Sequence, residues 1–396
     1  MKPGLRRRGG PGLRIGIDAL SWDRRSGYGR YCRELVSALL PIPTQHSFTL
    51  MMDSHALAPA AAEVLRFEPA GKATRSATRS LTELLRLTRL MMQGRMDVWF
   101  FPSPQTYVPV LSRARVVTTL HDTIPWQLPD LVFANRAQYL AWRIKVALAM
   151  RRSARVITVS EHARKSISKF FRVPDSALRV VGEAPAAIFK PNLDPSKVAL
   201  VAEGLGMSRD ARVIVYHGAL APHKDLPTLL NAFVRLSSVP TFHDVYLLIV
   251  GGSDWVNLRS QESSLRNRSM NFERVKLPGA LSDDDLALLL NRATIAVLPS
   301  LDEGFGLTGL EAVACGVPLI ATRSSALPDV LGDGAVYFTP RAEDELYGHL
   351  VNLLSDPARR QRMSELALQR VSAMSWAKEA KRLLSVFDEL AEDSTH

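Results

Sequence analysis

The chain has 396 residues, 46% of them hydrophobic and 22% charged, which is too long for one ordinary domain and suits two soluble ones. Its only cysteines, Cys32 and Cys315, fall in different predicted halves, so no structural disulfide is expected and the chain reads as cytosolic. No apolar run reaches the ~18 residues of a membrane span, and the basic start leads into a strand with no signal-peptide core.

The net charge of +11 is unevenly shared. Residues 1–186 hold 29 Lys and Arg against 13 Asp and Glu, whereas the remainder holds 21 against 26. A basic first half beside a mildly acidic second half bears on partners rather than on fold.

Strand-like and helical runs alternate along the first half. The strands are Arg14–Asp18, Ser47–Met52, Asp97–Phe101, Arg115–His121, Ala154–Ser160 and Leu178–Val181. Between them lie helices Tyr28–Leu40, Leu81–Met92, Asn135–Arg152 and Glu161–Phe171, the last capped by Ser160. The alternation stops in a Pro-rich stretch from Gly182 to Pro195 and restarts with Ala211–His217, Asp225–Leu236, Val245–Gly251, Ser282–Asn291, Thr294–Leu298 and Val317–Thr322. From Arg341 to Leu390 the pattern is helical throughout. This order predicts α/β architecture with parallel sheets covered on both faces. The boundaries read as a domain at 1–186, a linker at 187–205, a second domain at 206–372, and a closing helix at 373–396 that packs back on the first domain.

The most informative segment runs from Pro299 to Glu311. It leaves a buried strand, carries Glu303-Gly304-Phe305-Gly306-Leu307-Thr308, and enters a helix bearing Glu311. Ligands of open α/β sheets bind at this rim, and the N–H groups of a helix start attract phosphate. Gly304 and Gly306 remove two side chains where a ligand would approach the backbone. A carboxylate such as Glu311 can accept from vicinal ribose hydroxyls. An isolated pair of acids at this spacing is usually a loop acid and a solvated helix position; the glycines and the strand–loop–helix setting favour a site.

A second cluster follows the strand Ala211–His217: Gly218 for a tight exit, then His223 and Lys224 at a helix start, a charge suited to a diphosphate. The first half opens with Gly27 and Gly29 before a helix, which does not satisfy a dinucleotide fingerprint but suits an oxygen-rich ligand; a plain flexible loop competes with that reading. His121-Asp122 closes another strand and faces the same rim, where a hydrogen-bonded structural histidine is an equal reading. Ser282-Asp283-Asp284-Asp285 is better read as a cap with acids in the first turn than as a metal site. Neither zinc spacing nor a Walker loop is present, so no metal is expected.

With these residues in place, the chain resembles the retaining glycosyltransferases of family 4, which have the GT-B fold: two Rossmann-like domains facing across a cleft. Glu303-Gly304-Phe305-Gly306-Leu307 with Glu311 matches that family's E-x7-E motif, followed by Ala314-Cys315-Gly316-Val317-Pro318 and Ser324-Ser325-Ala326-Leu327-Pro328. Gly27 to Leu35, His121-Asp122 and Thr158 to Glu161 fit in the first half. The likeness is greatest toward bacterial enzymes that add mannose, rhamnose or similar sugars to surface polysaccharides, lipopolysaccharide included.

The resemblance implies a nucleoside-diphosphate sugar as donor, GDP-mannose among the candidates, bound mainly by the second domain. It implies a glycan or lipid-linked acceptor on the first. By position, Glu311 would hold the ribose and Lys224 the diphosphate, with Gly218 and His223 beside them. Backbone amides from Phe305 through Leu307 to Thr308 would bind phosphate and sugar. Glu303 would contact sugar hydroxyls near the reacting carbon, His121 would approach that sugar, and the Gly27–Gly29 loop would close over the donor. His223 stands where family members commonly have Arg, and Thr308-Gly309 replaces a Pro-containing pair.

The expected reaction is metal-independent hexosyl transfer with retained configuration, the departing phosphate helping to deprotonate the acceptor and Lys224 stabilising the leaving charge. The competing expectation is a catalytically idle sugar-nucleotide-binding or assembly subunit, favoured if the departures at His223 and Thr308 are disabling. Nucleic acid is not an expected partner, because no recognition motif accompanies the basic charge. Arg75, Arg79, Arg86, Arg89 and Arg95 around the apolar helix Leu81–Met92 suggest an anionic membrane surface on the inner face of the plasma membrane, against the alternative of a helix with its apolar face in the core.

Overall fold

The computed structural model describes residues 12–59, 62–68, 81–252 and 272–393. Within these, the chain forms two compact units: residues 12–123, 135–183 and 376–393 in the first, and 124–134 with 184–375 in the second. Two boundaries therefore differ from those expected. Residues 124–134 belong with the second unit, and the expected linker holds the helix Pro195–Gly204, capped by Asp194.

The first unit contains β1 (Arg14–Asp18), β2 (Ser47–Asp53), β3 (Glu63–Phe67), β4 (Val98–Phe101), β5 (Arg115–Thr119), β6 (Ser153–Thr158) and β7 (Leu178–Val180). They form one sheet in the order β3-β2-β1-β4-β5-β6-β7, every pair parallel. The second unit contains β8 (Arg212–His217), β9 (Val245–Val250), β10 (Val275–Gly279), β11 (Ile295–Leu298), β12 (Leu319–Thr322) and β13 (Ala335–Phe338), in the order β10-β9-β8-β11-β12-β13, also parallel. In each sheet the order reverses beside the first strand, between β1 and β4 and between β8 and β11. Such a switch point opens a crevice at the carboxyl ends of the strands.

The pleat explains why the central strands are apolar throughout. In β8, Val213 and Val215 join one buried cluster while Ile214 and Tyr216 join another; β11 divides likewise, Ala296 and Leu298 against Ile295 and Val297. Side chains alternate between faces, and both faces are covered by helices, so residues 213–217 of β8 and all four of β11 are buried. Leu310 and Val313 of the Leu307–Ala314 helix cover one face; Leu229 and Phe233 of the Leu226–Ser237 helix cover the other.

In the first unit the Trp376–Glu392 helix packs on the Gly27–Leu39 helix, with Trp376 edge-on to Tyr31 at 5.9 Å and Phe387 against Phe100 at 5.9 Å. The buried Glu379 accepts a hydrogen bond from Gly182 N–H at 2.7 Å, which ties this helix to the chain leaving β7. Cys32 and Cys315 are free and buried, and burial pushes the Cys32 thiol up to about 12.

Candidate functional site

The second unit gathers most of the expected site residues at the switch point. β8 ends at His217, and Gly218 follows with a φ of 142°, a conformation that favours glycine. The chain then makes the turn Pro222–Lys224, and Asp225 starts the Leu226–Ser237 helix in the left-handed region at φ 48°. From the neighbouring strand, β11, the loop 299–306 leads to the Leu307–Ala314 helix. The two loops are joined by a hydrogen bond from Leu301 N–H to the His223 carbonyl at 2.8 Å. A short helix, Pro129–Val132, lies against the Pro222–Lys224 turn within the same unit.

Glu303 is the centre of this arrangement. Its Oε1 accepts from Lys224 Nζ at 2.7 Å and from Ser300 Oγ at 2.7 Å, while its own N–H donates to Ser325 Oγ at 2.8 Å. Glu303 is buried and Lys224 nearly so, with a side-chain exposure of 15%. A desolvated carboxylate is tolerable here because charge and hydrogen bonds compensate it. The negative carboxylate also helps hold the Tyr216 phenol far above its usual range, behind the larger effect of burial.

Glu311 is 2% exposed and does not sit in solvent on the outer helix face. Its Oε2 lies 3.1 Å from His217 Nε2, so the helix acid and the β8 terminus meet at one point. His223 is different. Burial, then the Lys224 charge, lower its imidazole to about 4, and its buried Nδ1 has no hydrogen-bond partner among the described residues. It is a neutral group at pH 7.

The glycines have reasons other than ligand access. Gly306 takes the N-cap position at φ 93°, and a Cβ there would overlap Leu327 Cδ2. Gly309 lets the helix approach the sheet, since a Cβ would stand 3.1 Å from both Leu298 and Leu319. Thr308 is a neighbour of Gly218: a Cβ on that glycine would lie 3.6 Å from Thr308 Cγ2. Phe305 packs on the apolar cluster that includes Leu298, and Leu307 is itself buried. Gly306, the N-cap residue, has no side chain with which to cap the Leu307–Ala314 helix, and its first turn holds no acid.

The first unit holds the other expected residues. His121, just past β5, is buried, with Nε2 2.9 Å from the Pro102 carbonyl and Nδ1 3.4 Å from Glu183 Oε1. A carbonyl only accepts, so Nε2 carries hydrogen and Nδ1 is the nitrogen that faces the carboxylate. Tyr28 and Tyr31 meet the ring edge-on at 4.8 and 4.6 Å. Gly27 and Gly29 are therefore close to His121 in the fold, but not as a free loop. They form the first turn of the Gly27–Leu39 helix, Ser26 Oγ accepts the Gly29 N–H at 3.2 Å, and a Cβ at Gly29 would overlap the Arg24 carbonyl.

His217, Ser300, Ser325 and Glu183 were not among the expected site residues. Ser325 had the clearest signal, since it follows β12, the strand next to β11, and adopts φ 49°. The Ser282 segment caps a helix as expected: Ser282 Oγ accepts the Asp285 N–H at 3.1 Å. In the helix Leu81–Gln93, Leu87 and Met91 face the core while Leu85 and Met92 are exposed. Arg75 and Arg79 lie outside the described residues.

Comparison with known proteins follows the same division. Residues 25–183 match the model of Glycosyltransferase Family 4, and residues 202–370 match that of Glycosyl transferases group 1. A 279-residue stretch is 27% identical to the O-antigen chain mannosyltransferase B of Escherichia coli, covering 70% of this chain and 71% of that one. Over 237 residues it is 32% identical to the MMP alpha-(1->4)-mannosyltransferase of Mycolicibacterium hassiacum, covering 59% of this chain and 53% of the relative. Among solved structures, Anabaena Alr3699/HepE in complex with UDP and glucose superposes with a TM-score of 0.72 at 17% identity, over 95% of this chain and all of that one.

Proposed function

The chain belongs to the glycosyltransferases of the GT-B fold, a Family 4 domain followed by a group 1 domain, and from that premise we propose that it moves mannose, rhamnose or a similar hexose from a nucleoside-diphosphate sugar to a growing surface glycan. The observation that carries this reading is the Glu303–Lys224–Ser300 cluster beside an uncapped helix start at the β8/β11 switch point. It sets a cation and a buried carboxylate beside a helix start, the kinds of group that a diphosphate joined to a polyhydroxylated ring requires.

In this proposal Lys224 leaves Glu303 for the diphosphate, and the first amides of the Leu307–Ala314 helix bind the same anion. Glu303 Oε1 already accepts from Ser300, and its other oxygen turns to a sugar hydroxyl. Glu311, oriented by His217, accepts from the ribose. As the bond from sugar to phosphate breaks, negative charge grows on the diphosphate, where Lys224 and the helix start stabilise it. The leaving phosphate takes the acceptor's proton on the same face of the sugar, so configuration is retained and no metal is needed. The mannosyltransferase of E. coli supports mannose and O-antigen synthesis, and the HepE complex with UDP and glucose supports a uridine nucleotide and a hexose as the kind of ligand bound. A lipid-linked acceptor would bring the protein to the inner face of the plasma membrane.

One observation favours the second reading, a sugar-nucleotide-binding or assembly subunit without turnover: His223 is neutral where an arginine would add a second cation. Assay of the purified protein against a panel of nucleotide sugars with a lipid-linked glycan acceptor separates the two. The transferase reading expects product from wild type and a loss of roughly a hundredfold or more in Glu303→Ala and Lys224→Ala. Tight nucleotide binding with no product from any donor would favour the idle subunit.

A further inference from the structure

The Arg136–Arg152 helix of the first unit is apolar on two sides. Its inner side buries Val146, Ala149 and Met150. Its outer side carries Leu140, Ile144 and Leu148, exposed by 57%, 53% and 49%. These recur every fourth residue and so form a single stripe, widened by the exposed Ala137 and Ala141. On the helical period Arg136 and Arg143 fall along one margin of the stripe, Lys145 and Arg152 along the other. The helix has no acidic residue. Arg152 donates to the carbonyls of Ser112 and Ala114, holding at that end of the helix the loop that displays Leu111, 71% exposed.

We infer that this stripe is where the protein docks on an anionic lipid bilayer. Three branched apolar side chains in line, flanked by cations, match the boundary between acyl chains and negative headgroups: the stripe enters the apolar layer while Arg136 and Arg143 reach to phosphate, and on the other margin Lys145 and Arg152, which donate to the carbonyls of Gln105, Ser112 and Ala114, add positive charge. A second copy of the chain fits less well, because a two-fold contact would oppose basic margins with no acid on the helix to pair them. The Leu81–Gln93 helix is a weaker candidate, since Leu87 and Met91 of its apolar face are committed to the core. The docking surface deepens the reading of a lipid-linked acceptor and rests on it, yet it is tested without any turnover.

The experiment is co-sedimentation of the full chain with vesicles of phosphatidylcholine alone and of phosphatidylcholine with phosphatidylglycerol, in low and high salt. Wild type should sediment with the anionic vesicles, less so in high salt. Ile144→Glu should weaken that partition about tenfold or more, with circular dichroism and nucleoside-diphosphate affinity unchanged. Leu85→Glu should bind as wild type. The inference is overturned if wild type ignores anionic vesicles, if Ile144→Glu binds like wild type, or if Leu85→Glu alone abolishes binding. It is equally overturned if sedimentation velocity shows a dimer that Ile144→Glu dissolves, for then a second copy owns the stripe. Unchanged nucleotide affinity in a chain that fails to bind vesicles would leave the donor site standing.

Discussion

Two helices begin where a parallel strand ends, and they begin differently. After β6, Ser160 caps the Glu161–Phe171 helix by accepting the Ala163 N–H at 3.1 Å, and Glu161 places a negative charge in the first turn. After β11, the Leu307–Ala314 helix starts from Gly306 in the left-handed region, with neither a capping side chain nor an acid in its first turn. The first start satisfies the Ala163 amide with its own cap and is finished as a structural element. The second lacks that capping bond, and the Lys224–Glu303 pair belongs to the loops beside it. The contrast separates a helix start that carries its own cap from one that does not.

The comparison breaks most visibly at Glu303. Glu303→Gln keeps the shape but removes the charge that Lys224 and Ser300 address, and turnover should fall by roughly a hundredfold or more; a variant with wild-type kcat and KM would mean that the open start is only a strained turn. The next effect is on stability. Gly306→Ala would force a Cβ into Leu327 at a φ of 93°, and urea unfolding should show a loss of about 2–3 kcal/mol. Little or no loss would show that the left-handed start is not required.

Ser160→Ala sharpens the same contrast from the other side. It should cost about 1 kcal/mol of stability, the ordinary worth of an N-cap, and leave nucleoside-diphosphate affinity untouched. An affinity change there would contradict the division of roles. A further effect is in pH. His223 sits at about 4 in the folded chain against an ordinary 6.5, so between these values the unfolded chain binds the extra proton. Its contribution to stability is present above pH 6.5 and is lost as pH falls toward 4. His223→Gln should flatten this part of the stability profile, measured by denaturant titration at successive pH values.

Much of the fold was legible because central strands are buried on both faces and read as apolar runs. The three strands that escaped, β3, β10 and β13, all lie at sheet edges. Glu63, Arg66 and Lys276 interrupt two of them, and β13 is only four residues long. Edge strands are half-solvated, so their hydrophobic signal is weak. The acids of the site were legible from their spacing and setting. Their partners were not: His217 meets Glu311 across 94 residues and Lys224 meets Glu303 across 79, pairings that only the β8/β11 adjacency creates. Glycine by itself is an ambiguous signal, since close packing and a left-handed turn demand it as strongly as a ligand does.

The central claim is that the β8/β11 rim binds a nucleoside diphosphate through Lys224 and the open helix start. Calorimetric titration of wild type and Lys224→Ala with GDP, UDP and ADP tests it most directly. The account predicts saturable one-to-one binding of at least one of these to wild type, weakened about tenfold or more in Lys224→Ala. Equal affinity in the two proteins, or no binding of any of the three to wild type, would contradict it.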